Sequence, residues 1–136
     1  MSSEYERTDQ NFTTLELPAV SAGDTSTVAM GAGMPRDGHV TSLQIVPRAA
    51  ITFNATNFAT ITLQNKGPLG SGSTAMASRT WSATSSVAGT KELATLNGTA
   101  ANLEFKQGDI LQVVHSTSGA GLALPAVSVV IGWLPR

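Results

Sequence analysis

No cysteine occurs among the 136 residues, which excludes disulfides, thiolate metal ligands and a cysteine nucleophile. Charge is scarce as well. Asp, Glu, Lys and Arg make up 12% of the chain, where an average soluble domain carries about 25%. Eight basic side chains face nine acidic ones, for a formal net charge of −1. A near-neutral chain without a basic cluster lacks the electrostatic footprint for nucleic acid or an acidic membrane, so neither is expected as a partner. Long apolar runs are missing too: the densest stretch, residues 126–134, falls far short of the roughly 20 residues that span a bilayer. Residues 1–10 are polar almost throughout, with no apolar segment behind them, so no secretory leader is expected and cytoplasmic synthesis is.

Small residues fill the space that charge leaves. The chain has 14 Ser, 17 Thr, 18 Ala and 13 Gly, together 62 of its 136 positions. Three Asn-x-Ser/Thr triplets, starting at Asn11, Asn54 and Asn97, follow from that composition and carry no weight. Hydrophobic residues reach 41%, enough for one core. Their spacing has a period of two. Ala59, Ile61 and Leu63 alternate with Thr60, Thr62 and Gln64; Val127, Val129, Ile131 and Trp133 form a second row, and Thr41, Leu43 and Ile45 a third. Weaker alternation marks 13–17, 25–30, 74–83, 91–96 and 110–115. Gly, Asn and Pro punctuate the intervals, as at 22–24, 33–38, 65–70, 97–98, 107–109 and 118–121. No amphipathic helix is legible; residues 100–103 could form one turn at most. The expected fold is all-β, an antiparallel sandwich of about eight strands, jelly-roll-like. Residues 12–136 read as a single domain. Residues 1–11, with three acids, one Arg and only Met1 and Tyr5 to bury, read as a flexible N-terminal arm.

Chemistry has few candidates. Asp37 precedes His39 at a strand start, and Asp109 and His115 flank another strand; either pair would suit a base acting on Ser or water. Neither has a nucleophile elbow or a ligand cluster beside it, and a His at a strand end, hydrogen-bonded or wet, explains each. The nine acids are scattered, so paired carboxylates for glycoside hydrolysis and a calcium loop are not expected. The glycine-rich stretches 31–36 and 67–73 lack the third Gly of a dinucleotide fingerprint and the Lys of a P-loop, and read as connections, the second as a projecting hairpin tip. No catalytic residue, metal or cofactor is expected. Trp133 continues a core row. Trp81 shares a face of the expected strand 74–83 with Ala75, Ala77 and Arg79, and it is the aromatic that a sugar-binding face would use.

The run 58–67, the Gly108-Asp109-Ile110-Leu111 strand entry, the Gly-rich loop 115–121 and the final Val-rich strand after Pro125 resemble, across residues 38–133, small β-sandwich structural proteins of tailed bacteriophages, above all capsid decoration (cement) proteins and short head fibres. The resemblance implies a non-enzymatic virion protein on the outer capsid surface, bound to the major capsid protein and assembled as a homotrimer. Tyr5, Arg7, Phe12, Arg36, Arg48 and Trp81 are the candidate interface residues, and the arm is a candidate for pairing with a neighbour's sheet edge. The alternative is a carbohydrate- or receptor-binding module centred on Trp81.

Overall fold

The computed structural model describes residues 10–29 and 32–136. Ten strands follow in order: β1 (Asn11–Leu17), β2 (Ser26–Ala29), β3 (Gly38–Pro47), β4 (Phe58–Asn65), β5 (Thr74–Thr80), β6 (Glu92–Leu93), β7 (Thr95–Leu96), β8 (Glu104–Phe105), β9 (Leu111–Ser118) and β10 (Val127–Pro135). A single 3-10 turn, Ala100–Leu103, precedes β8. All ladders between these strands are antiparallel. One sheet has the order β1-β10-β3-β6, with β8 also on β3; the other runs β2-β9-β4-β5-β7. The first strand therefore pairs with the last, and the second with the last but one. That winding is the jelly roll.

Alternation places one side of every long strand between the sheets. Leu43, Ile45, Val127, Val129 and Ile131 from the first sheet meet Ala59, Ile61, Leu63, Leu111 and Val113 from the second, all buried in one cluster. β-Branched and leucine side chains suit this pleated surface, and burying each contributes about 1.5–3 kcal/mol. At one edge Trp133 packs edge-on against Phe105, with ring centroids 5.6 Å apart.

Seven of the eight expected strands are present as such, and two differences raise the count to ten. The stretch 91–96 is not one strand: Glu92–Leu93 joins β3 in the first sheet, while Thr95–Leu96 joins β5 in the second. Ala94, buried between them, donates its N–H to the Leu43 carbonyl as the chain crosses over. Period two shows which side chains face inward but not which sheet a strand joins. The pair Glu104–Phe105 is too short to show any period at all. A third difference is local. A bulge in the β4–β5 ladder between Leu63 and Gln64 puts Met76 and Ala77 both in the core, so Ala75 and Ala77 do not share a face.

Connections at each end interlock. At one end Val20 bridges to Leu124, Ile51 to Ser86, and Arg48 donates its N–H to the Ala126 carbonyl. Gly121 adopts φ +79° there, and a Cβ on it would lie 2.5 Å from Gly23 N. At the other end Met34 and Lys66 donate to the carbonyls of Asp109 and Ile110. Gly33, at φ +74°, leaves its Cβ position 2.8 Å from the Gly108 carbonyl. Only glycine reconciles that dihedral with so close an approach.

Candidate functional site

Each sheet presents an outer face, and the two differ in kind. On the first sheet the register aligns Phe12, Gly132 and Ser42 in one row, Thr14, Val130, Gln44 and Leu93 in the next, and Glu16, Ser128 and Val46 in a third. Phe12 is 58% exposed and Leu93 65%. The ring of Phe12 lies over Gly132, where an added Cβ would come 3.3 Å from it and 2.5 Å from Ser42 Oγ. The third row ends in an ion pair: Arg48 Nη2 lies 2.8 Å from Glu16 Oε1 and also donates to Ser128 Oγ at 2.9 Å. Ser128 donates in turn to Glu16 Oε2 at 2.7 Å. That hydroxyl, and then Arg48, hold the Glu16 carboxyl below its ordinary value against a partial desolvation.

The second sheet turns outward a row of Thr27, Val114, Thr62, Ser78 and Thr95, and a row of Ala29, Gln112, Gln64 and Ala75. Ser116, Thr60 and Thr80 make a third. Among the described residues of these rows, across five strands, no side chain carries a charge. Thr60 and Thr80 share a hydroxyl–hydroxyl bond of 3.0 Å across β4 and β5.

Where this face meets the sandwich edge lies a cleft of about 460 Å³. Its floor is an ion pair, Arg79 Nε to Glu92 Oε1 at 2.8 Å, with side chains only 12% and 23% exposed. Around it stand the hydroxyls of Ser78, Thr80, Thr84, Ser85 and Thr95. Arg79 also donates to the carbonyls of Thr80 and Thr84 and to Ser86 Oγ. Its guanidinium sits 4.8 Å from the centroid of the Trp81 ring.

The sequence candidates scatter across this frame. Phe12 and Arg48 lie on or beside the first outer face. Arg36 is exposed in the connection before β3, at the interlocked end that also holds Asp37, Glu104, Lys106, Asp109 and Arg136. Tyr5, Arg7 and residues 1–9 of the expected arm lie outside the described residues, while Asn11, expected in the arm, is the first residue of β1, opposite Trp133. Trp81 is a correction. It leaves β5 and turns inward, fully buried, with its N–H donated to Ser86 Oγ at 2.7 Å, so its ring offers nothing to a surface ligand.

Neither His–Asp pair assembles. The Asp37 carboxylate accepts the Gln107 N–H, and Asp109 accepts those of Lys106 and Asn65. His39 stands half-buried in β3, opposite Leu134 and Glu104. His115 is buried away from the surface and has no hydrogen-bond partner among the described residues. It is 1% exposed in the row Ser26, His115, Ile61, Arg79, and neither ring nitrogen has a partner; Ser26 Oγ, across the ladder, has none either. Burial pushes its pKa down. Among the described residues no group of three His, Asp or Glu is arranged to hold a metal, and no helix is long and apolar enough to cross a membrane.

The Arg79–Glu92 pair went unseen in the sequence, since two residues 13 positions apart on different sheets leave no local signal. The uncharged face was legible in part, through the outward Thr60, Thr62 and Gln64.

Strand order and core define the chain as an antiparallel jelly-roll β-sandwich. No protein-family model matches it, and no curated protein does. Among solved structures, a chain in the structure of infectious bursal disease virus, Gx strain, is similar over 92% of this chain at 16% identity, with a TM-score of 0.39. This chain spans 32% of that one. A likeness so distant assigns neither family nor function.

Proposed function

We propose that the chain is a non-enzymatic structural protein of a virion, one that binds the outer surface of a tailed-phage capsid, through its major capsid protein, and decorates or stabilises it. The observation that carries this reading is the charge-free outer face of the second sheet. Burying a charge without a partner is costly, whereas hydroxyls and amides can pair across a contact and short side chains lose little entropy when ordered. Five strands about 4.8 Å apart, averaging about 20 Å in length, make a face of roughly 400 Å². That is about half of what one partner contributes to a standard stable interface. One copy therefore binds weakly, and a homotrimer presenting three copies gains by multivalency. Synthesis in the host cytoplasm and display on the capsid surface follow from the same reading.

The test is to mix purified protein with capsids stripped of their minor proteins, and to measure bound copies by sedimentation and electron microscopy. Saturable binding at lattice-defined positions is expected. Absence of binding at micromolar concentration would overturn the proposal. Sedimentation equilibrium of the protein alone checks the trimer, which a monomer at high concentration would contradict.

A further inference from the structure

We infer that the cleft over the Arg79–Glu92 pair binds a neutral, polyhydroxylated ligand of the sugar class. The cleft carries no net charge, because its one cation and one anion are paired at 2.8 Å. An ionic ligand would find no unmatched partner there. Its lining includes Ser78, Thr80, Thr84, Ser85 and Thr95, whose hydroxyls both donate and accept, as sugar hydroxyls do; of these, Thr80 Oγ1 is shared with Thr60 and Ser85 Oγ accepts the Phe53 N–H. Glu92 spends Oε1 on Arg79, and its Oε2 makes no hydrogen bond among the described residues, leaving a charged acceptor for a ligand hydroxyl.

The floor is held before any ligand arrives. Arg79 is tied to Glu92, to the 84–86 turn and to the carbonyl of Thr80, while its guanidinium stacks near Trp81. Those contacts join β5, β6 and the turn into one frame, so binding orders little. A volume of about 460 Å³ falls within the usual range for small-ligand sites and admits a disaccharide. The cleft lacks an exposed aromatic platform, because Trp81 is buried beneath the guanidinium. Recognition rests on hydrogen bonds alone, which sets the expected dissociation constant at about 1–10 mM. The sugar reading thus moves from Trp81, where the sequence put it, to the hydroxyls around Arg79. It stands apart from the capsid proposal, since the free protein is tested and capsid binding is not the readout.

The experiment titrates isotope-labelled protein with maltose, cellobiose, lactose, glucose and glucuronate to about 100 mM, at least ten times the expected constant, while amide shifts are followed. At least one sugar is expected to give saturating shifts confined to residues 78–80, 84–86 and 92–95. The Ser78→Ala/Thr95→Val double variant, whose sites are at the surface, is expected to bind at least tenfold more weakly. Val46→Lys, on the opposite outer face, is expected to leave the titration unchanged. Three results would each overturn the inference: no saturating shift with any sugar, unaltered binding in the folded double variant, or tighter binding of glucuronate than of glucose.

Discussion

The two outer faces are built from the same pleated geometry, yet they handle polarity in opposite ways. On the first, the carboxylates of Glu16 and Glu104 are each neutralised in place, the one by Arg48 and Ser128 and the other by Arg136, and two large apolar side chains, Phe12 and Leu93, stand at opposite edges. On the second, no charge among the described residues needs neutralising, and hydroxyls, amides and small apolar groups continue from β2 to β7. A salt-bridged surface stays soluble alone and resists being covered, since its partners must be desolvated together. A hydroxyl surface is soluble and can also be covered at small cost. By this contrast the proposed contact function belongs to the second face, and the contrast can be broken or sharpened at several points.

The largest effect concerns what lies between the faces. Trp81→Ala is expected to lose about 3–5 kcal/mol of stability, as large-to-small core changes do, because the ring is fully buried and its N–H is bonded to Ser86 Oγ. Denaturant unfolding checks this. An unchanged midpoint accompanied by lost ligand or capsid binding would return Trp81 to a contact role.

The next concerns His115, under the second face. Its pKa is lowered by burial in the folded chain, whereas in the unfolded chain it titrates near about 6.5. As pH falls below that value, the unfolded state takes up a proton that the folded state resists. Stability then declines by at most about 1.4 kcal/mol per pH unit until the folded value is reached. His115→Leu is expected to flatten this acid slope and, by removing two unpartnered nitrogens, to raise stability by about 1–3 kcal/mol at neutral pH. Unfolding measured from pH 7 to 5 decides it.

The smallest belongs to the first face. Because the Glu16 pKa is lowered in the folded chain, the carboxylate contributes stability above its unfolded value of about 4.3 and loses it as pH falls through the folded one. Both partners are exposed, 60% for Arg48 and 53% for Glu16. Arg48→Ala is therefore expected to cost less than about 1 kcal/mol, and that difference should shrink in high salt. Thermal unfolding at low and high ionic strength reads it.

How much was legible in the sequence follows from the range of each signal. Rows such as Ile61 and Leu63 against Thr60 and Thr62 are local, so seven strands and their inward faces could be read directly. Sheet membership depends on non-local pairing, which is why 91–96 read as one strand although it serves both sheets. Trp81 was misplaced because the bulge between Ala75 and Ala77 shifts the alternation, so that Ala77, Arg79 and Trp81 lie on the inward side and Ala75 does not. The cleft joins residues of β5, β6, β7 and the turn at 84–86, and no short-range pattern announces such a meeting. His115 closes the alternating stretch 110–115, but its lack of any hydrogen-bond partner among the described residues is visible only once both sheets are in place.

The central claim is that the uncharged face makes the contact, and a charge placed on each face in turn tests it most directly. Thr62→Lys falls in the middle of the second face and Val46→Lys in the first, both at half-buried outward positions. Binding of each variant to stripped capsids is measured beside the parent chain, with unfolding midpoints confirming that both fold. The expected result is loss of lattice-defined binding by at least a hundredfold for Thr62→Lys and near-parent binding for Val46→Lys. Parent-level binding by Thr62→Lys, or loss confined to Val46→Lys, would contradict the account.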